Sequence, residues 1–213
     1  MDKKKYLLDR SEAVEYFNDF EIGEDGIYFY KNNAFFISET VTAMAEVKGP
    51  RLRDVLVFEY LGDVRWSPED TDRIATLEQK FFKQYDTFLY FPKQILCDTL
   101  GEHKIKAKRK GIVEFLCSGD FLTITVNIEG KETRYSVSLK QYSMHIDASY
   151  SDFSFRINAL LLDKIICRGL TDCEKVGIKF SAGSDVIFFN RNRNYFYRYW
   201  AISPTILEIN RSV

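Results

Sequence analysis

The sequence has little of the residues that interrupt regular structure or bind metals. It contains 11 Gly and 4 Pro in 213 residues, which is not the composition of a disordered chain. It has only two histidines, His103 and His145, and none of its four cysteines forms a C-x-x-C pair. A structural zinc site of the usual spacing is therefore not expected.

Sequence features of several other protein classes are also missing. No apolar run approaches the length of a membrane span, and Met1–Lys5 leads into no apolar segment of the kind found in signal peptides. There is no glycine-rich phosphate loop, and neither histidine pairs by sequence reasoning with a Ser or Cys nucleophile. We therefore expect an intracellular protein without membrane contact, bound metal or cofactor.

What the chain does have is a large apolar and aromatic content. Hydrophobic residues make up 46% of the sequence, and the aromatics include 18 Phe and 13 Tyr, which favours strands. The length allows one large or two small domains with a substantial core. Because the formal net charge is −1, binding to nucleic acid would depend on local clusters of charge.

Three segments of the chain share one order of elements: a strand, a helix and then further strands. They run from Tyr6 to Tyr60, from Thr87 to Leu139 and from Phe153 to Ile202, and the first includes a single strand predicted for Ala34–Met44. Between the first two segments, helical spacing predicts one connecting helix through Ile74, Leu77, Phe81 and Tyr85. This repeat of pattern predicts an α+β fold of β-α-β-β-β units, with antiparallel sheets and helices on one face.

The helix predicted in the third segment has an apolar side and a cationic side. Asn158 suits an N-cap and Gly169 suits the end of the helix. Lys164 and Arg168 lie four residues apart, so they project in the same direction. Such a helix on a sheet could meet a polyanion. The alternative is that both cations complement the helix dipole and face water.

Residue patterns in the last two segments resemble those of sliding DNA clamps of the proliferating-cell nuclear antigen type. The similar stretches are Phe153–Ile157, the strand that runs from Tyr197 to Pro204, and the hairpin Gly111–Phe115 followed by Ser118-Gly119. The resemblance covers Thr87–Pro204. Tyr142-Ser143-Met144 with Phe153-Ser154-Phe155 also resembles clamp-related poxvirus late transcription factors.

The resemblance implies a clamp-like fold and a division of the chain into domains. A clamp subunit of two domains contains four strand–helix–strands units, whereas three are counted here. We therefore expect residues 1–86 to form a partial clamp-like domain with a connecting helix, and residues 87–213 to form a complete one. A divergent viral member of the family is one possibility, which would place the protein in the cytoplasm or nucleus, including that of an infected host cell.

In the clamp fold, cations on the helices that line the hole contact DNA, so the resemblance also implies candidate DNA-binding residues. These are Lys93, Lys164 and Arg168 on the helices, with Arg109 and Lys110 in a turn. Lys5 and Arg10 are weaker candidates. In the run His103–Lys110, period-two alternation places Lys104, Lys106 and Lys108 away from the helices, where they are more typical of a protected edge strand. For the helix cations, a solvated surface is the alternative interpretation.

Clamps bind client proteins beside their C-terminal tail, so the resemblance implies a partner-binding segment of Ile202, Ser203, Pro204 and Ile206. The alternative is that the two isoleucines complete the core. The expected function is that of a non-enzymatic sliding clamp or processivity factor in DNA replication, which binds duplex DNA without sequence preference. Its partners would be a polymerase or transcription components, and it would form a homo-oligomer or hetero-oligomer. A late transcription factor of the same fold that does not encircle DNA is the second hypothesis.

A third hypothesis, from another functional class, is a metal-dependent nuclease. Asp120 followed by Glu129-Gly130-Lys131 matches the D…E-x-K pattern, in which carboxylates hold Mg²⁺ and the lysine steadies the attacking water. The same three residues are also ordinary turn chemistry between the strands predicted at Phe121–Ile128 and Arg134–Leu139. We expect the turn rather than the enzyme.

Overall fold

A computed structural model gives the fold of the chain. It describes residues 7–18, 27–38, 41–48, 52–58, 64–65, 68–101, 111–141, 145–146, 150–170, 173–191, 198–204 and 206–211. Contacts divide the chain into two compact units. The first comprises Met1–Gln84 with Arg193–Ala201, and the second comprises Tyr85–Asn192 with Ile202–Val213. Among the described helices, none has the length and apolar character that a membrane span requires.

Among its described residues, the first unit contains two helices and six strands. These are α1 (Arg10–Asn18), β1 (Ile27–Lys31), β2 (Asn33–Ile37), β3 (Val41–Glu46), β4 (Leu52–Phe58), β5 (Val64–Arg65), α2 (Pro68–Phe82) and, as far as Ala201, β14 (Arg198–Ile202). The strands follow the order β14-β3-β2-β1-β4-β5. The pairings of β1 with β2 and β4, and of β2 with β3, are antiparallel.

The helices of the first unit are held by aromatic side chains. Phe17 on α1 stacks on Phe36 with 5.7 Å between ring centroids and meets Trp200 edge to face at 6.0 Å. Phe81 on α2 lies 5.9 Å from the ring of Tyr199. Both phenylalanines are almost completely buried. The predicted connecting helix is therefore present as α2, with Ile74 and Phe81 in the core, but it ends at Phe82, before Tyr85.

The single strand predicted for Ala34–Met44 is wrong, because the chain reverses inside it. Strands β2 and β3 pair with each other, with Ile37 opposite Thr42. The Ser38 N–H donates a hydrogen bond to the Val41 carbonyl oxygen at 2.8 Å, and the Ser38 hydroxyl donates to the same oxygen at 3.1 Å. This turn carries no Gly or Pro to mark it in the sequence.

The described residues of the second unit form two strand–helix–strands repeats, except that the last strand of the second repeat, β14, belongs to the first unit as far as Ala201. The first repeat is β6 (Thr87–Pro92), α3 (Lys93–Gly101), β7 (Gly111–Ser118), β8 (Phe121–Ile128) and β9 (Lys131–Ser138). The second repeat is β11 (Tyr150–Asn158), α4 (Ala159–Asp163), a π-helical segment (Lys164–Gly169), β12 (Lys175–Phe180), β13 (Val186–Arg191) and then β14. A 3₁₀ turn (Leu139–Gln141), β10 (His145–Ile146) and β15 (Ile206–Arg211) complete the described elements. The prediction of repeated β-α-β-β-β units is confirmed here.

The two repeats of the second unit exchange their first strands. Strand β6 of the first repeat pairs with β12 of the second, in the order β10-β6-β12-β13. Strand β11 of the second repeat pairs with β7 of the first, in the order β15-β11-β7-β8-β9. All seven of these pairings are antiparallel. Each repeat therefore completes the sheet of the other, and the α+β class with antiparallel sheets is confirmed.

Candidate nucleic-acid interface

The two helices of the second unit lie against each other. Helix α3 contacts α4 and the π-helical segment, and α4 also packs on β7 and β11. The faces turned to the core carry apolar residues and one threonine: Ile95, Leu96, Thr99 and Leu100 on α3, and Ala159, Leu162, Ile165 and Ile166 on the other helix. Because these faces are buried, a charged side chain on either helix can reach a ligand only from the opposite face.

The helix that follows β11 begins as predicted and then changes its geometry. The Asn158 side-chain oxygen accepts a hydrogen bond from the Leu161 N–H at 3.0 Å, which satisfies one of the donors left open at a helix start. From Lys164 to Gly169 the helix is a π-helix, in which the backbone bonds span five residues. This segment contains both predicted cations. Lys164 is half-buried, and the side chain of Arg168 lies outside the described residues.

Lys93, at the start of α3, is held by the end of the neighbouring helix. Its Nζ donates a hydrogen bond to the Leu170 carbonyl oxygen at 2.9 Å, and its backbone N–H donates to the Glu174 carbonyl oxygen at 3.0 Å. A cation at a helix C-terminus complements the carbonyls that have no partner within the helix. Lys93 therefore joins the two helices, and it is half-buried in doing so.

The charges on the two helices nearly balance. Their sequences contain three basic residues, Lys93, Lys164 and Arg168, and two acidic residues, Asp98 and Asp163, so three minus two gives a formal charge of +1. Asp98 is exposed and accepts a hydrogen bond from the Gln94 side chain at 2.6 Å. Any electrostatic attraction of DNA to this surface therefore depends mainly on the two cations of the π-helical segment.

Several predicted cations lie outside the described residues. They are Lys5, Arg109, Lys110 and the remainder of the run from His103 to Lys110. Arg10 begins α1, but its side chain is not among those described. Of the predicted DNA-binding residues, the structure therefore brings Lys93 together with the π-helical segment and leaves the two turn cations unplaced.

The predicted partner-binding segment is only partly on the surface. Ile202 ends β14 and is 2% exposed, so its side chain is in the core. Ser203 is exposed, and its hydroxyl donates a hydrogen bond to Asp185 Oδ1 at 2.8 Å. Pro204 is half-buried, and Ile206 begins β15 opposite Arg156. Ser203 and Pro204 are thus the described part of this segment that a partner can reach.

The metal site predicted by the nuclease hypothesis is not formed, because its residues are far apart. Asp120 lies in the turn before β8, whereas Glu129 and Lys131 lie at the turn after it. An extended strand of that length separates the two turns by roughly 30 Å, too far for one metal site. Asp120 forms an ion pair with Lys140 instead. No group of three possible metal ligands occurs in the part of the chain that the structure describes.

The turn that contains Glu129 has the geometry of a tight hairpin. Glu129 and Gly130 have positive φ angles of 54° and 80°, and Ile128 pairs directly with Lys131. Positive φ at both central residues is the mark of a type I′ turn, whose twist matches that of the flanking strands. The prediction of a turn at these residues is confirmed.

The sequence did not indicate a depression on the outer face of the sheet that contains β7. Its volume is about 640 Å³, and its lining residues are Gly111, Ile112, Glu114, Thr125, Asn127, Glu129, Glu132, Arg156 and Asn158. The side chain of Arg156 on β11 reaches Glu114 on the neighbouring strand β7, and its Nη2 and Nε atoms lie 2.7 and 2.8 Å from Glu114 Oε1. The alternation of β7 would have placed Ile112 and Glu114 on this face, but it could not show that the neighbouring strands leave a hollow there.

A second feature missed by sequence reasoning is a buried lysine. Lys179 on β12 is 7% exposed, and its Nζ lies 5.3 Å from the ring centroid of Tyr85 and 5.5 Å from that of Phe189. Burial lowers the pKa of Lys179 from 10.5 to about 8. Burial, and then the charge of Asp185, raises the pKa of Tyr85. A single lysine among apolar residues in the sequence does not indicate that its ammonium group lies beside two buried aromatic rings.

Comparison with solved structures identifies the fold. The chain is similar to a putative DNA polymerase III beta subunit from Eubacterium rectale (TM-score 0.59, 11% identity), covering 90% of this chain and 62% of that one. It is also similar to the DNA polymerase III beta subunit from Pseudomonas aeruginosa (TM-score 0.61, 11% identity, 94% and 61% coverage). A third similar structure is proliferating cellular nuclear antigen from Entamoeba histolytica (TM-score 0.57, 8% identity, 91% and 94% coverage).

These likenesses establish the fold and nothing finer, because the identities are 8 to 12%. The chain spans about three fifths of the length of the beta subunits. No protein-family model matches the sequence, and neither does any curated protein. The α+β fold of sliding clamps, expected from the residues of the last two segments, is confirmed.

Proposed function

We propose that this chain, which has the sliding-clamp fold, binds duplex DNA without sequence preference and tethers a polymerase or a transcription component to it. The observation that carries the proposal is the pairing of α3 with the helix that contains Lys164 and Arg168, within a unit of that fold. The proposed role is binding rather than catalysis, and it requires no cofactor. It places the protein inside cells, where its DNA and its partners are.

The proposed DNA contacts are contacts to phosphate. Lysine and arginine that neutralise phosphates release counterions, so the affinity falls as salt rises and does not depend on base sequence. Lys164 and Arg168 would make these contacts, with Arg109 and Lys110 as further candidates. Lys93 would mainly position the site, because its ammonium group donates a hydrogen bond to the Leu170 carbonyl oxygen at the end of the π-helical segment. We further propose that residues 1–86 are a partial clamp domain and residues 87–213 a complete one.

The proposed site for the tethered protein is the C-terminal segment of Ser203, Pro204 and Ile206, with Ile202 fixing it to the core. Structures similar to this chain carry the name of polymerase subunits, which supports a polymerase as the client. Self-association or association with another clamp-like chain is part of the proposal.

One observation favours the second hypothesis, a clamp-fold transcription factor that does not encircle DNA. In the first unit, α2 ends at Phe82 and β6 begins at Thr87, so only residues 83–86 lie between them. A second set of three strands does not fit there, which supports the proposal that the N-terminal domain is a partial one. A closed ring made of complete domains would need that missing set.

The test of DNA binding is a double charge reversal, Lys164→Glu with Arg168→Glu. Fluorescence anisotropy should give a duplex affinity that falls linearly with salt on logarithmic axes, and the reversal should remove about two units of slope along with most of the binding. A matched control is Lys48→Glu with Lys140→Glu, which makes the same charge change at exposed lysines that lie on neither helix. Equal binding by the two double variants would refute the helix surface as the DNA site.

A further inference from the structure

The depression over the sheet that contains β7 is lined mainly by polar side chains, and its charges do not balance. Glu114, Glu129 and Glu132 line it together with one arginine, Arg156, so one minus three gives a formal charge of −2. Pockets for small apolar molecules are lined predominantly by apolar residues, whereas Ile112 is the one large apolar side chain among the described residues of this lining. The depression therefore suits a ligand that carries positive charge.

The ion pair inside the depression uses only part of the Glu114 carboxylate. Both nitrogens of Arg156, Nη2 and Nε, approach the same oxygen, Oε1, at 2.7 and 2.8 Å. A bidentate pair would engage both oxygens of the carboxylate. Glu114 Oε2 therefore has capacity to accept a hydrogen bond from a ligand, and both side chains are partly exposed, so a ligand can reach them.

The other two glutamates lie at the turn between β8 and β9 and at the start of β9. Both Glu129 and Glu132 are exposed. Within the chain, Glu132 Oε1 lies 3.7 Å from Arg134 Nη2, and both of these side chains are more than half exposed. Exposed ion pairs contribute little to stability, so Glu132 can exchange this contact for a cation of a partner at small cost.

Exposed apolar side chains extend this surface along β7. Ile112 and Leu116 are 48% and 44% exposed, and alternation along the strand puts them on one face with Glu114 between them. Phe121, which is also exposed, lies directly opposite Ser118 and shares that face. The face therefore presents an apolar, an acidic and an apolar side chain at the spacing of alternate residues in an extended chain.

We propose that this face docks an extended segment of a partner protein in which one lysine or arginine stands between two apolar residues, at positions i, i+2 and i+4. Alternate side chains of such a segment point the same way and have the spacing of those in β7. Its apolar residues contact Ile112 and Leu116, and its cation lies beside Glu114. Complementary charge steers the segment to the depression and fixes its register, whereas the same charge repels nucleic acid.

This docking surface adds a partner to the proposed function and does not rest on that function. Its residues are not those of the proposed DNA surface, nor those of the C-terminal segment, and its test uses no DNA. The two proposals can therefore fail separately.

The test is a titration of the full chain with a blocked heptapeptide that has serine at its odd positions, leucine at positions 2 and 6 and arginine at position 4. Amide NMR signals of the wild type should shift from Ile112 to Leu116. The same peptide with glutamate in place of arginine should bind about tenfold more weakly, because a charge-assisted hydrogen bond becomes a repulsion. This comparison uses the wild type alone, so it remains valid if a variant folds poorly.

Variants of the chain test the same surface. Glu132→Lys should weaken binding of the arginine peptide by about tenfold, and Leu116→Ser by about fivefold, because half of a leucine contact is lost. The matched control is Glu15→Lys, at an exposed glutamate of α1, which should leave binding unchanged. Equal binding of the two peptides, shifts confined to other strands, or equal loss in Glu15→Lys and Glu132→Lys would overturn the proposal. Equally strong binding of acetyl-arginine amide would also overturn it, because the site would then take a small cation rather than a segment.

Discussion

Strand β2 in the first unit and strand β7 in the second are both rich in apolar residues, but they are buried in different ways. Every residue of β2, from Asn33 to Ile37, is buried. In β7, from Gly111 to Ser118, buried residues alternate with exposed or half-buried ones. The first strand has both faces covered, whereas the second has one face in the core and one in water.

The difference decides how each strand responds to substitution. Where both faces are covered, neighbouring positions should be equally sensitive. Where one face is open, sensitivity should alternate with the side chains, because successive residues of a strand point to opposite faces. Four predictions test or refine this contrast.

The largest effects are expected from alanine substitutions at adjacent residues of the two strands. Phe35→Ala and Phe36→Ala should both lower the free energy of unfolding by about 3–5 kcal/mol, because both rings are buried. In β7, Phe115→Ala should cost about the same, whereas Leu116→Ala, at a side chain 44% exposed, should cost less than about 1 kcal/mol. Chemical denaturation followed by circular dichroism measures all four. A mild Phe36→Ala variant would show that the second face of β2 is open.

The next effect concerns β12, a strand of the second unit that is also buried on both faces after Lys175. There the covered position holds Lys179, whose pKa burial lowers to about 8. Lys179→Met should raise the free energy of unfolding at pH 7 by about 2 kcal/mol. This gain is smaller than the pKa shift alone implies, because the substitution also removes the contacts of the ammonium group with the two aromatic rings.

The pH dependence of this effect has a definite sign. Between pH 8 and pH 10.5 the unfolded chain retains the proton of Lys179 and the folded chain does not, so the stability of the wild type should rise across that window. The gain in the Lys179→Met variant should be complete below pH 8 and vanish above pH 10.5. Denaturation at pH 7, 9 and 10.5 provides the measurement, and a gain that does not change with pH would contradict a buried charge.

A smaller effect is expected where α3 meets the π-helical segment. Lys93→Met removes the hydrogen bond from an ammonium to the Leu170 carbonyl and should lower stability by about 1–2 kcal/mol. Lys175→Met, at an exposed lysine of the same unit, should change stability by no more than about 0.5 kcal/mol. Thermal melts of both variants make the comparison. Equal melting temperatures would mean that Lys93 does not join the two helices.

The smallest effect is expected at the start of α4. Asn158→Ala removes the side-chain acceptor for the Leu161 N–H and should cost about 1 kcal/mol. Asn127, exposed on β8, is the matched asparagine without a capping role, and its replacement by alanine should be near neutral. Urea midpoints distinguish the two. A neutral Asn158→Ala variant would show that this cap adds nothing to stability.

The same contrast explains how far the sequence could predict the structure. The run Gly111–Phe115 followed by Ser118-Gly119, expected to form a hairpin, is present as β7 and the turn after it, because one open face preserves the period of two. The sequence pattern predicted one strand where the structure has β2 and β3. Burial on both faces removes the period of two, and the Ser38 turn has no glycine or proline. The Asn158 cap was predicted because capping depends on neighbours in sequence.

The rest depended on contacts between distant parts of the chain. No local pattern states that β6 joins β12 and β11 joins β7, although this exchange makes the second unit one body. The cations Lys164 and Arg168 were found by their spacing, but the π-helical geometry around them was not. The hydrogen bond from Lys93 to the Leu170 carbonyl oxygen joins residues 77 positions apart, and no sequence spacing predicts such a contact.

The most direct test of the proposed function is the affinity of the unmodified chain for two duplexes of unrelated sequence, measured over a range of salt concentrations. Phosphate contacts from the helix cations predict equal affinities for the two duplexes and a linear fall with salt on logarithmic axes. No binding at low salt, or a clear preference for one sequence that persists at high salt, would contradict a clamp-like role on DNA.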